Sequence, residues 1–188
     1  MHLATTPAAN DLLEHDPLAL LIGMLLDQQI PMEKAFTSPA VLRDRLGRDL
    51  DATELASHDA AALEEIFREP PALHRFPAAM AKRVQALAQV LAERFDGDAT
   101  AVWRGATDGP DLVRRIATLP GFGPQKAQIF AALLAKQFNV RPDGWRQATG
   151  AFGEQGSFKS VADVVDAESL TRVRTYKKQQ KAAAKAAG

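Results

Sequence analysis

The order of hydrophobic and polar residues along the chain predicts a protein built almost entirely from α-helices. Alanine and leucine are abundant, whereas valine and isoleucine are sparse and rarely alternate with polar residues, so few strands are expected. The clearest helix is predicted over 78–95, where apolar residues recur at helical spacing: Met80, Val84, Leu87, Val90 and Leu91. We therefore predict an all-α fold and a single helical domain over 1–188, since no repeat or linker divides the chain.

Several residues mark where the helices begin and end. Asp16 before Pro17 is typical of an N-cap followed by proline in the first turn, and Asp59 is expected to cap a short helix. Ser160 and Asp163 have the spacing of a capping box. The predicted helices span, in chain order, 18–29, 32–39, 40–46, 60–67, 78–95, 112–119, 124–138, 143–152 and a basic helix and tail over about 168–188.

The composition excludes several classes of protein. The absence of cysteine excludes disulfide scaffolds, cysteine-bound zinc, iron–sulfur clusters and thiol catalysis. The four histidines lack metal-like spacing, so we expect no metal site and assign them to the surface or to helix caps. The longest apolar stretch, 18–26, is far shorter than the roughly 20 residues of a membrane span, and no secretory signal is visible. We expect a monomeric, cytoplasmic, bacterial-type protein that does not contact membranes.

The charges are balanced in number but not in position. The chain has 23 basic and 23 acidic residues, which taken alone argues against a nucleic-acid partner. Segment 43–69, however, carries four basic against eight acidic residues, whereas 112–141 carries five basic and 172–188 six basic residues with no acid. This asymmetry indicates a surface that faces phosphate, although a short basic tail is also typical of a solvated helix end.

The most informative segment, 112–143, predicts two helices joined by a tight turn that contains Gly121 and Gly123. Glycine lets a ligand approach the backbone closely, and Pro124 fixes the first turn of the second helix. Unpaired amides and the helix dipole at such an N-terminus favour an anion such as phosphate. A hairpin that serves packing alone is the alternative, because many helical hairpins contain glycine.

The sequence LPGFGPQKA at 119–127 resembles the helix-hairpin-helix element of the HhH-GPD superfamily of base-excision DNA glycosylases. Two more stretches, 16–30 and 74–98, resemble the family's first core helix and the helix before the hairpin. The resemblance implies two helical lobes with a groove that receives a nucleotide extruded from double-stranded DNA. It implies DNA contacts at the turn and its flanks, from Gly121, Phe122, Gly123, Gln125, Lys126 and Arg115.

The resemblance also implies a catalytic aspartate. In the family this acid follows the hairpin at a set spacing, and Asp143 lies 18 residues after Gln125. A carboxylate held there would stabilise the positive charge that develops on the sugar and would orient water. Asp143 also has the position of a plain helix N-cap before Gly-Trp-Arg-Gln, and the two roles are compatible.

Departures from the family pattern restrict the implied chemistry. The Schiff-base lysine of the endonuclease III branch corresponds to Gln125, which cannot form that adduct, and Lys126 lies about 100° further round the helix. The sequence therefore predicts a monofunctional glycosylase, without lyase chemistry through position 125 and without an iron–sulfur cluster. The Arg-Pro-Asp-Gly-Trp context of Asp143 leaves two alternatives open: an inactive relative that only binds DNA or lesions, and a helical module for protein contacts.

Weaker roles fall on side chains outside the hairpin. In some relatives a glutamine enters the space left by the extruded base; it corresponds to Gln29, and Gln28 would exchange roles with it if the register shifts by one. Gln28 and Trp145 are candidates for the base pocket, Trp145 by stacking, although a core position is the alternative for this tryptophan. No cofactor is expected, but the resemblance allows a monovalent cation between the turn carbonyls and phosphate. Four other aromatic residues are predicted to lie in the core: Phe67, Phe95, Trp103 and Phe130.

Overall fold

A computed structural model describes residues 1–186, so the last two residues of the predicted 168–188 tail lie outside the described residues. The described chain is all-α and contains no strand, which confirms the predicted fold class. Its helices are α1 Pro7–His15, α2 Pro17–Leu26, α3 Met32–Leu46, α4 Ala52–Ser57, α5 Ala60–Arg68, α6 Pro77–Phe95, α7 Ala101–Arg104, α8 Gly109–Ala117, α9 Pro124–Gln137, α10 Trp145–Thr149 and α11 Ala167–Ala186. Two 3₁₀ helices, Gly150–Gly153 and Val161–Asp163, lie between α10 and α11. No helix among the described residues has the length and apolar character that a membrane crossing requires.

The chain divides into two compact units. The first, called here the N-terminal unit, contains residues 4–105 together with the short segment 118–122. The second, called here the C-terminal unit, contains 1–3, 106–117 and the chain from 123 onward. Helices α1 to α7 therefore belong to one unit and α8 to α11 to the other.

The core of the N-terminal unit is built around α2, in which every residue from Leu18 to Leu26 is buried. The predicted start of this helix is confirmed, because the Asp16 carboxylate accepts hydrogen bonds from the amides of Leu18 and Ala19. Burial raises the pKa of Asp16, although these two amides act in the opposite direction. A Cβ at Gly23 would lie 2.7 Å from a ring carbon of Phe36, so this glycine allows α2 and α3 to pack closely.

The structure differs from the predicted helices at two places near the N-terminus. The segments 32–39 and 40–46 form one helix, α3, which continues through Pro39. Proline removes one helical hydrogen bond, at a cost of about 3 kcal/mol, but the buried side chains of Phe36 and Leu42 on either side keep the helix packed. Helix α1 was not predicted, although Thr6 before Pro7 caps it through a hydrogen bond from the Ala9 amide.

The C-terminal unit is built around α9, which packs against α8, α10 and the 3₁₀ helix at 161–163. Phe130 and the five residues 131–135 are all fully buried. The predicted capping box is confirmed, because the Ser160 hydroxyl accepts from the Ala162 amide while Asp163 accepts from the Ser160 amide. Helix α11 is anchored by its first turns alone, through the buried residues Ser169, Leu170 and Val173.

The aromatic residues predicted for the core divide into two groups. Phe67 and Phe130 have no exposed surface, which confirms their core assignment. Phe95 and Trp103 are only partly buried, so their core assignment is wrong. Phe95 is the last residue of α6. The guanidinium of Arg94 lies 5.6 Å from the centre of the Phe95 ring and covers part of it.

Candidate functional site

The turn of the predicted hairpin uses its two glycines differently. Gly121 has a φ of +83°, a region that side chains other than glycine rarely adopt, and a Cβ there would lie 3.3 Å from Leu25. Gly123 has a φ of −71°, and a Cβ there would meet nothing within 4 Å. The fold therefore requires glycine at 121, whereas glycine at 123 only keeps the surface open.

Buried apolar side chains hold the turn in place. Leu119 and Phe122 are 2% and 3% exposed, and the Phe122 amide donates to the Leu119 carbonyl at 3.1 Å. Phe122, predicted as a DNA contact, therefore contributes a buried ring, whereas the backbone at Gly121 and Gly123 is exposed. The turn presents main chain, not side chains, to its surroundings.

Helix α9 begins directly after the turn with no side-chain cap. Gly123 occupies the N-cap position, Pro124 has no amide hydrogen, and the first intrahelical bond runs from the Ala127 amide to the Gly123 carbonyl at 2.9 Å. The amides of Gln125 and Lys126 therefore lie at the positive end of a 14-residue helix dipole. Gln125 is exposed and Lys126 half-buried, so the structure places both predicted residues at the first turn.

Asp111, an acidic residue that the sequence patterns did not single out, holds two arginine side chains of α8 in position. Asp111 is 5% exposed and accepts hydrogen bonds from the Thr107 amide at 3.0 Å, from Arg115 Nε at 3.0 Å and from Arg114. The Thr107 hydrogen bond lowers the pKa of Asp111, and the two arginines lower it further. Arg115, predicted to contact phosphate, is thus oriented by a carboxylate one helical turn earlier. The Gly-Pro-Asp sequence at the start of α8 is the feature from which a role for Asp111 could have been predicted.

Asp143 lies between α9 and α10 with its main chain fixed and its side chain exposed. Its carbonyl accepts from the Gly109 amide at 2.7 Å, which ties this segment to the start of α8. A Cβ at Gly109 would lie 2.5 Å from the Trp145 Cα, so the two segments are in direct backbone contact. Within residues 1–186 the Asp143 carboxylate has no hydrogen-bond or ion-pair partner. It is an anchored, solvent-facing acid.

The predicted capping role of Asp143 is wrong. Helix α10 begins at Trp145 and not at 143, its N-cap is Gly144 with a φ of +75°, and no side chain caps it. The predicted helix over 143–152 is also shorter, because it ends at Thr149 and is followed by the 3₁₀ helix. The carboxylate is therefore not used to begin the helix.

Trp145 is buried and lines a cavity of about 410 Å³ within the C-terminal unit. The Arg146 guanidinium lies 4.6 Å from the centre of the Trp145 ring and covers it. Lys136 also lines the cavity, where its ammonium group donates to Asp163 at 2.5 Å and to the Glu154 carbonyl at 2.9 Å. Asp143 does not line this cavity, so the predicted acid and the predicted stacking residue do not meet there.

In the N-terminal unit, Gln28 and Gln29 follow α2, which ends at Leu26, three residues before the predicted end. The Gln28 side chain is held on both sides, since it donates to the Leu25 carbonyl at 2.8 Å and accepts from Arg83 at 3.0 Å. Gln29 is exposed, has a φ of +58°, and has no side-chain partner among the described residues. Of the two glutamines, Gln29 is therefore the one whose side chain can reach a ligand.

His74 is an exception to the assignment of the four histidines to the surface or to helix caps. It is 1% exposed, its Nδ1 accepts from the Phe76 amide at 3.0 Å, and its Nε2 lies 2.9 Å from the Gln28 carbonyl. These contacts require the neutral tautomer with hydrogen on Nε2, which donates to Gln28. A buried imidazole thus fixes the backbone next to Gln29, and no residue near His74 in the sequence signals this long-range contact.

The predicted site residues divide between the two units. Gly121, Phe122, Gln28 and Gln29 belong to the N-terminal unit. The C-terminal unit contains Gly123, Gln125, Lys126, Arg115, Asp143 and Trp145. No group of three or more His, Asp or Glu side chains in residues 1–186 has an arrangement that could hold a metal ion.

Comparison with protein-family models identifies a family. A family model described as HhH-GPD superfamily base excision DNA repair protein matches residues 22–187, most of the chain. Comparison with curated protein sequences gave no match.

Proposed function

The chain belongs to the HhH-GPD superfamily of base excision DNA repair proteins, and from that premise we propose that it is a monofunctional DNA glycosylase. It would bind duplex DNA through the hairpin and remove a damaged or mispaired base by hydrolysis. The observation that carries the proposal is the Asp143 carboxylate, which is exposed, has no partner within residues 1–186, and is attached to a main chain fixed on α8.

The hairpin is suited to hold a phosphate of the DNA backbone. The exposed glycine at 123 leaves space for a phosphate to approach the main chain, and the uncapped N-terminus of α9 supplies the favourable dipole. Lys126 and Arg115 lie in the flanking turns and add positive charge. Such contacts hold the backbone without reading sequence, as a repair protein that searches long stretches of DNA requires. A monovalent cation bound by the turn carbonyls would support the same contact.

Asp143 supplies the chemistry in this proposal. As the bond between sugar and base breaks, its electron pair leaves with the base and positive charge develops on the sugar, which the nearby carboxylate stabilises. The carboxylate also accepts a proton from the water that attacks the sugar. Position 125 is glutamine, so no amine is available there to form a covalent adduct, and the product is an intact abasic site.

Gln29 is proposed to fill the gap that the extruded base leaves in the duplex. A residue other than glycine at a φ of +58° is unfavourable by roughly 1–3 kcal/mol, and such strain is retained where a side chain must be presented in one direction. The hydrogen bonds of Gln28 to Leu25 and from Arg83 fix the preceding residue. We propose that the 74–76 turn, through His74, keeps Gln29 presented to the DNA.

The test is a panel of duplexes, each with one damaged or mispaired base, incubated with wild-type protein and with Asp143→Asn. We expect release of at least one base by the wild type, with strand breakage only after alkali and no adduct trapped by borohydride. Asp143→Asn should slow single-turnover release by about 10²-fold or more, the usual contribution of a positioned acid or base. Glu168→Gln, which removes an exposed acid from the same unit, is the matched control and should retain full activity.

The alternative is a protein that binds DNA without releasing a base. Its support is that Asp143 does not line the cavity beside Trp145. Duplex binding by the wild type with no base released from any substrate in the panel would establish this alternative. Equal residual activity of Asp143→Asn and wild type would remove Asp143 from the mechanism.

A further inference from the structure

Helix α11 is anchored at one end and exposed along the other. Its buried residues all lie in the first seven positions, at Ser169, Leu170 and Val173. From Lys178 to the end of the described helix at Ala186 every residue is exposed. Packing within the C-terminal unit therefore explains why α11 begins, but not why it continues.

The exposed part of α11 has its positive charges on one side. At 100° per residue, Lys178, Lys181 and Lys185 fall within an arc of about 60°, and Arg174 falls in the same arc. We call these four residues the basic stripe. The opposite side carries Thr175, Tyr176, Gln179, Ala183 and Ala186, together with Arg172, whose charge is paired with Glu168. No acid follows Glu168, and the three lysines of the stripe have no hydrogen-bond or ion-pair partner among the described residues.

This arrangement is unfavourable for an isolated helix. Like charges three and four residues apart repel one another, and the stripe contains three such successive pairs, from Arg174 to Lys185. The helix dipole favours cations only in the last turn, which accounts for Lys185 but not for Lys178. A membrane surface would require several large apolar side chains on the opposite side, where α11 has threonine, glutamine, alanine, Arg172 and the single ring of Tyr176.

We propose that the basic stripe of α11 binds the phosphate backbone of duplex DNA, as a second contact separate from the hairpin. Lys178 and Lys185 are about 10 Å apart along the helix, and duplex DNA carries one negative charge per 1.7 Å of axis, so the three lysines can each meet a phosphate. The contact involves no base and adds affinity independently of sequence. This inference rests on the proposed function, because it takes DNA as the partner.

The test measures binding to an undamaged duplex by fluorescence anisotropy at several salt concentrations. The full chain is compared with the triple variant Lys178→Gln/Lys181→Gln/Lys185→Gln, in which glutamine preserves helix propensity. The matched control, Arg48→Gln/Arg68→Gln/Arg94→Gln, removes the same charge from exposed positions of the N-terminal unit. A fourth protein, Gly123→Ala, reports on the hairpin. Circular dichroism melts establish that all four proteins are folded.

We expect the triple variant to lower the slope of log affinity against log salt by about 2.7, which is 0.9 for each lost phosphate contact. The ratio of wild-type affinity to variant affinity should then be about 40-fold greater at 50 mM than at 200 mM salt. The control should keep the wild-type slope.

Four results would overturn the inference. An unchanged slope in the triple variant, while Gly123→Ala weakens binding, would refute the stripe and leave the proposed DNA function standing. An equal loss in triple variant and control would show an effect of net charge alone. No duplex binding by the wild type at low salt would refute both proposals, and stripe-dependent binding to RNA or anionic vesicles in place of DNA would assign the stripe to another partner.

Discussion

Gly121 and Gly123 are two residues apart in one turn, and the structure predicts opposite consequences when each is changed to alanine. At 121 the left-handed backbone costs alanine roughly 1–2 kcal/mol, and its Cβ would lie 3.3 Å from Leu25 in the buried face of α2. At 123 the backbone is ordinary and the added methyl meets nothing within 4 Å. Gly121→Ala should therefore destabilise the fold, whereas Gly123→Ala should leave its stability unchanged or raise it by about 0.4–1 kcal/mol.

Thermal melts and duplex binding together separate the two effects. For a chain of this size each kcal/mol shifts the melting temperature by about 2–4 °C, so Gly121→Ala should melt about 2–8 °C below the wild type. Gly123→Ala should melt at or above the wild-type temperature but bind duplex DNA at least tenfold more weakly, since its methyl group blocks a charge-assisted hydrogen bond of about 1.5–3 kcal/mol.

The reasoning about this turn would be refuted by either of two results. If Gly123→Ala were as destabilised as Gly121→Ala, the turn would be under a strain that its dihedral angles do not show. A stable Gly123→Ala protein with wild-type affinity would show that phosphate does not approach the main chain here, and the hairpin would then serve packing alone.

Two further changes test the packing around the site. Gly23→Ala should cost about 1–3 kcal/mol in denaturant melts, because its Cβ would collide with the Phe36 ring; a loss below 0.5 kcal/mol would mean that α2 and α3 separate easily. Asp111→Asn should remove a pH dependence of stability. In the folded protein the pKa of Asp111 lies below the ordinary 3.8, so its ionised carboxylate stabilises the wild type above that pH. This stabilisation is lost as the pH falls through the folded pKa. Unfolding curves at pH 3 to 6 that fall equally in both proteins would contradict this assignment.

Local signals predicted much of the helical framework. Asp16 with Pro17, Asp59, and the Ser160–Asp163 pair each form their cap through hydrogen bonds within three residues, so sequence alone specifies them. The buried length of α2 followed from an uninterrupted apolar run. In these places the local preference and the tertiary packing favour the same structure.

The errors occur where distant residues decide the outcome. Pro39 was expected to end a helix, but α3 continues because its flanks are buried. His74 was assigned to the surface or to a helix cap, and nothing near it in sequence indicates that it meets Gln28. The start of α10 was placed at Asp143, whereas the contact of Gly109 with Trp145 and the left-handed Gly144 delay it by two residues.

The short segment 118–122 has a consequence for dissecting this protein. It lies between two helices of the C-terminal unit in sequence, yet it clusters with the N-terminal unit and supplies the buried side chains of Leu119 and Phe122. A fragment that stops at 105 lacks both side chains, and one that starts at 106 carries them without the unit they belong to. The protein is therefore not a tandem of separable modules, and truncation or transplantation of either half should give an incomplete core.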